Sequence, residues 1–163
     1  MRIVSVAERR DLVPVVADWL WQEFWRSDGY ALEDTAAAVA AATADIGPPQ
    51  TFVLLVDGRP VGTASLAAED LDERPQLTPW LAGVLVIPQA RRRGYAGHLI
   101  RAVERACRTA SIPAAWLYTN SAEALYARAG WKAVEIVARQ AKSPVTLMRK
   151  ELLVGDRGVG LVP

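Results

Sequence analysis

The residues best placed to do chemistry run from Arg91 through Arg92, Arg93, Gly94, Tyr95 and Ala96 to Gly97, directly after the apolar stretch Val84-Leu85-Val86-Ile87-Pro88. A strand that ends there and a helix that begins among small residues would leave unpaired N–H groups and the positive end of a helix dipole facing outward, which suits an anion. Gly94 lets the backbone approach a phosphate closely, and Ala96 and Gly97 keep side chains out of the way. Arg91, Arg92 and Arg93 add positive charge where a diphosphate would lie. Neither the Gly-Lys-Ser/Thr of a P-loop nor a Gly-x-Gly-x-x-Gly dinucleotide pattern is present. The plain alternative is a basic helix start that merely solvates itself. A nucleic-acid patch is disfavoured, because the cluster is short and lacks interleaved aromatic residues.

A second concentration of charge lies at Glu69, Asp70, Asp72 and Glu73, in a polar, proline-interrupted stretch that ends at Pro79. In a chain whose net charge is only +1, a local run of acids favours a cationic ligand and supplies candidate proton acceptors. A solvated loop is the bland alternative. His98 is the only histidine, and it follows the basic turn closely enough to suit a surface or phosphate-adjacent role. Cys107 is the only cysteine, which excludes an internal disulfide and any multi-cysteine metal centre. It reads as a small buried hydrophobe on its helix face.

These residues need elements to hold them. Ile3 to Val6 reads as a first strand, and Asp11 as the cap of a helix running to about Ser27, with Leu12, Val16, Trp19, Leu20 and Phe24 as its core face. An alanine-rich helix is expected from Leu32 to Ala44 and a fully covered strand from Thr51 to Val56. Asp57-Gly58 signals a tight primed hairpin turn into a strand from Arg59 to Ala68, with Gly62 at a bulge or a close backbone approach. Strands follow at Trp80–Ile87, Ala114–Thr119, Trp131–Ala138 and Val145–Arg149. Helices follow at Arg93–Ala110 and Ala122–Ala129, the latter closed by Gly130. The order β-αα-βββ-α-β-α-ββ indicates a mixed α/β fold, read as one domain over 1–151 with a loosely held tail over 152–163.

Arg91-x-x-Gly94-x-Ala96 after a valine-rich strand and Pro88, with Leu125-Tyr126 and Gly130-Trp131 downstream, resembles the GCN5-related N-acetyltransferases. The resemblance implies a central, mostly antiparallel sheet, splayed in the middle, with helices on both faces. It also implies that acetyl-CoA is the co-substrate, with Val84, Leu85 and Val86 along pantetheine and Arg91 to Gly97 around the diphosphate. Tyr126 falls where the family commonly keeps a tyrosine near the thioester sulfur; a phenol with pKa near 10 can protonate a leaving thiolate. Asn120 corresponds to a family asparagine that contacts CoA, although it precedes Tyr126 by one residue fewer than expected.

On the acceptor side, Glu69 and Asp70, then Asp72 and Glu73, are candidate bases; Asp72 is also a candidate substrate contact, and Trp25, Asp28, Tyr30 and Trp80 are candidate walls. The acceptor expected from the acidic loop is a small cationic amine, acetylated directly in a ternary complex without a metal. A protein N-terminus or lysine is the enzymatic alternative, and a non-catalytic CoA-binding regulatory module the alternative of another class. The balanced charge argues against nucleic acid and anionic membranes as partners. No apolar run suggests a signal peptide or membrane span, so a cytoplasmic location is expected. Dimers are common in the family, and the surplus tryptophans permit a homodimer.

Overall fold

The computed structural model describes residues 1–153. A seven-stranded sheet runs in the order β1-β2-β3-β4-β5-β7-β6. Its strands are β1 (Arg2–Ser5), β2 (Gln50–Val56), β3 (Arg59–Ala67), β4 (Trp80–Val86), β5 (Ala114–Thr119), β6 (Lys132–Arg139) and β7 (Lys142–Glu151). Neighbours pair antiparallel except β4 and β5, which are parallel. One face carries α1 (Val13–Leu20) and α2 (Leu32–Ala41), which pack on Val4, Val53 and Leu55. The other carries α3 (Tyr95–Thr109) and α4 (Glu123–Arg128) over a core that includes Leu54, Leu66, Leu99, Ile100, Leu117 and Met148. This is the mixed, mostly antiparallel fold that the element order implies.

Local chemistry accounts for most of the turns. Asp57 and Gly58 both take positive φ, 50° and 74°, as a primed hairpin turn requires. Gly62 sits where β3 passes beneath α3: a Cβ there would come within 2.8 Å of the Leu85 carbonyl oxygen and 2.9 Å of Leu99 Cδ1. The expected close approach is therefore real, and it fixes how tightly α3 lies on the sheet. A register shift lies beside it, between Leu54 and Leu55 of the pairing β2–β3.

The first helix differs from its sequence pattern. A single 3₁₀ turn, Arg10–Leu12, precedes α1, and Asp11 pairs with Arg9 at 2.7 Å instead of capping the helix. After Leu20 the chain widens into a π-helical turn, Trp21–Trp25. A π turn inserts a residue into the α repeat, so positions within it rotate off the core stripe that the preceding turns set. Phe24, expected in the core, is 39% exposed for this reason.

At the other end of the chain, Leu152 had been assigned to the tail. It is buried, donates its N–H to the Pro113 carbonyl at 2.8 Å and accepts from Arg108 Nε at 3.0 Å. The rest of that tail, 154–163, lies outside the described residues. Among the described residues no helix is long and apolar enough to cross a membrane.

Candidate active site

The sheet opens between β4 and β5. Their one registered pair is Trp80 with Trp116, joined by a hydrogen bond from the Trp116 N–H to the Pro79 carbonyl at 3.0 Å. Beyond Trp80 the two parallel strands diverge, and β4 loses its partner on that side. The pairing of β3 with β4 also slips, so that Thr63 faces Leu85 while Ser65 faces Ala82, with Gly83 at φ 59° in the gap. This bulge bends β4 away from β5. Val84, Leu85 and Val86, the expected pantetheine contacts, lie along the freed edge and are half-buried. Strand backbone with no strand beside it can pair with an extended, amide-bearing ligand.

At the end of β4 the chain turns through Pro88–Ala90 and enters α3 at Gly94. Arg92 and Gly94 both take left-handed φ, 64° and 76°. Alternation of this kind turns successive N–H groups toward one concavity, which suits an anion. No side chain caps α3, so its first N–H groups have no side-chain partner. A Cβ added at Gly94 would meet nothing within 4 Å, which marks open space in front of the turn. These features fit a diphosphate.

The arginines divide their work. Arg91 donates Nε to the Val86 carbonyl at 3.0 Å and so braces the turn, whereas Arg92 and Arg93 are exposed. Tyr95 packs against the core cluster. Ala96 and Gly97 follow within the first turn of α3. Sequence reasoning missed Arg101, whose guanidinium lies 3.3 Å from where a Gly97 Cβ would be and 3.2 Å from His98 Nδ1. Its spacing of one helical turn from Gly97 was the available signal.

Tyr126 lies on α4 and joins the core cluster that includes Leu99 and Leu117, 9% exposed. Burial pushes its phenol up to about 12. Asn120 is exposed. Thr119 Oγ1, not Asn120, accepts from the N–H groups of Ser121 and Ala122, at 3.4 and 3.0 Å, and organises the approach to α4.

The other face of the opening is lined differently, because Tyr118 points opposite to Leu117. Tyr118 packs with Trp80, Leu71 and Val145 beneath the acidic loop. Asp70 sits in this region, and burial raises its carboxyl to about 7; Arg139 opposes the shift and Asp72 adds to it. The Tyr118 phenol is raised to about 12, first by burial and then by the Asp70 charge. Arg139 stands over the Tyr118 ring at 5.4 Å and donates to Glu73 at 3.2 Å. Tyr118 and Arg139 escaped the sequence reading because β5 and the β6–β7 hairpin meet Asp70 only in the folded sheet.

The remaining candidates separate by position. Glu69 and Asp72 are exposed at the rim. Asp28 pairs with Lys142 at 3.0 Å, tying the loop after the π turn to the tip of the β6–β7 hairpin. Trp25 is half-buried and stacks at a tilt on exposed Tyr30, with ring centroids 6.2 Å apart. Trp80 does not form a wall: it is 0% exposed, donates Nε1 to the Leu77 carbonyl at 2.7 Å and supports Tyr118 edge-on from within. Its place at the last pairing of β4 with β5 puts it inside the sheet. Among the described residues no cluster of His, Cys, Asp and Glu could hold a metal.

Comparison with known proteins agrees with this geometry. The sequence profile of the Acetyltransferase (GNAT) family matches residues 15–131. Similar solved structures include an aminoglycoside 6'-N-acetyltransferase complexed with coenzyme A, at TM-score 0.75 and 13% identity, covering 94% of this chain and 98% of that one. The ribosomal-protein-alanine N-acetyltransferase from Brucella melitensis aligns at TM-score 0.70 and 18% identity, covering 93% and 100%. An acetyltransferase of the GNAT family from Streptococcus pneumoniae aligns at TM-score 0.69 and 15% identity, covering 93% and 98%. No curated protein matches the sequence significantly. These likenesses establish the fold, and the profile covers most of the chain and both motifs of the site: the chain belongs to the GNAT family of acetyl-CoA-dependent N-acetyltransferases.

Proposed function

We propose that the acceptor is a small cationic amine, acetylated directly within a ternary complex, with Asp70 as the base and Tyr126 as the acid. The observation that carries this reading is the placement of Asp70: a half-buried carboxyl near Tyr118, with a pKa of about 7. A base poised near neutral pH can take the proton of an incoming ammonium and still be ionised often enough to work. The freed amine then attacks the thioester carbonyl, the carbon–sulfur bond breaks, and the departing sulfur takes the Tyr126 proton. A phenol held near 12 stays protonated until that moment. Val84 to Val86 and the turn from Arg91 to Gly97 hold the donor, with Asn120 at the rim of its channel.

The exposed acids Glu69 and Asp72 attract a cation without binding it tightly, because exposed charges are screened. Trp25, Tyr30 and the Asp28–Lys142 pair border the approach. Relatives of this fold are named both for aminoglycosides and for a ribosomal-protein alanine. The local excess of acid favours the first kind of acceptor here.

The test is calorimetry with acetyl-CoA, CoA and dephospho-CoA, followed by thiol release over a panel containing kanamycin, spermidine and an alanine-initiated peptide. Turnover with the small amines and none with the peptide is expected. The reverse pattern would establish a protein substrate. Tight CoA binding without any turnover would favour the regulatory module.

A further inference from the structure

α4 is only six residues long, too short to hold its own shape, since isolated helices below about 12 residues are marginal in water. Something else must fix the direction of Tyr126. The Tyr126 carbonyl accepts from the N–H groups of Ala129 and Trp131, both at 3.0 Å. The carbonyl of Ala129, at the C-terminal cap of α4, accepts from Lys150 Nζ at 2.7 Å, a cation placed against the negative end of the helix. The same Nζ donates to Glu104 Oε1 at 2.8 Å, and Trp131 Nε1 donates to that oxygen at 3.1 Å. Glu104 is 5% exposed at its side chain; Arg108 touches its other oxygen only distantly, at 3.8 Å.

Burying such a pair is expensive, and apolar residues of similar size commonly stabilise as well or better. The ionic set does what apolar packing would not: it attaches the end of α4 directionally to α3, the helix that starts at the diphosphate turn, and to β7. We propose that Glu104 and Lys150 are positioning residues for Tyr126, a buried clamp that holds its hydroxyl in register with the donor channel. This rests on Tyr126 being the acid, so the test must separate the two.

The pair Glu104→Gln/Lys150→Met removes both charges together and leaves Trp131 a carbonyl oxygen to donate to. Two readouts decide the matter. In CoA-saturated protein, hydrogen exchange of the Trp131 amide is expected to speed up at least about tenfold; an unchanged rate overturns the clamp. With the fastest amine of the panel, kcat should fall about tenfold or more while KM for acetyl-CoA stays within about twofold, and Lys150→Arg should retain most of kcat. In a Tyr126→Phe background the same pair should change kcat less than about twofold, because the clamp acts through the phenol. An equal loss in both backgrounds means a merely structural role and overturns the proposal. If Tyr126→Phe alone keeps full kcat, the acid assignment fails, and the exchange measurement decides the clamp by itself.

Discussion

Trp80 of β4 and Trp116 of β5 form the last pairing of two parallel strands that then separate. Beyond them the two strands are not paired with each other. Tyr126 packs with Leu117 on one side of the sheet, and Tyr118 lies with the acidic loop on the other. Under the proposed mechanism, donor and acceptor approach from opposite faces and meet where the strands part.

Tyr126→Phe removes a proton donor and little volume. Turnover is expected to fall about 10²-fold, the lower range for general acid catalysis, with acetyl-CoA affinity within about twofold. Steady-state kinetics paired with calorimetry checks this, and unchanged kcat would remove Tyr126 from the mechanism.

Gly94→Glu places a carboxylate in the open space before the proposed diphosphate turn, at a φ of 76° that side chains rarely adopt. CoA binding should disappear from calorimetry at millimolar ligand. Dephospho-CoA should be lost equally, because the diphosphate is common to both. Retained affinity would mean that the phosphates lie elsewhere.

Asp70 links catalysis to pH. With the base at about 7, kcat/KM should rise with pH through neutrality, and Asp70→Asn should remove that limb along with most of the activity. Stability runs the other way. The folded-state value lies above the usual 3.8, so between about 4 and 7 the folded protein binds more protons than the unfolded chain, and stability falls as pH rises through that window. Above 7 the penalty is complete. Asp70→Asn should therefore raise Tm at pH 8 and change it little at pH 4. A fall in Tm at pH 8 would refute the assignment of a desolvated carboxylate at Asp70.

Gly62→Ala would drive a methyl into the Leu85 carbonyl and Leu99. Overpacking of this kind costs about 1–3 kcal/mol, or a Tm loss of roughly 3–10 °C in a chain of this size. Thermal denaturation measures it directly, and an unchanged Tm would show that α3 can lift from the sheet at no cost.

Leu20 and Phe24 look alike in the sequence and should behave differently. Leu20→Ala, at a buried position, should cost about 2–5 kcal/mol, whereas Phe24→Ala within the π turn should cost under about 1 kcal/mol. Equal losses in denaturant titrations would place Phe24 back on the core stripe.

The sequence by itself determined what is local. The order of elements, the hairpin at Asp57-Gly58, the left-handed turn at Gly94 before α3 and the short helix carrying Tyr126 all follow from residues within a few positions of one another, where backbone preference and side-chain periodicity act directly. Tertiary structure decided what depends on residues far apart in the chain. Asp70 acquires a pKa near 7 because folding buries it and brings Arg139 and Tyr118 to it from other strands. Trp80 became a buried support because it sits at the last pairing of β4 with β5, a fact of sheet topology that no periodicity records. Phe24 left the core because a single π turn rotated it away. Burial and charge placement are sums over the whole fold, and only the assembled sheet defines them.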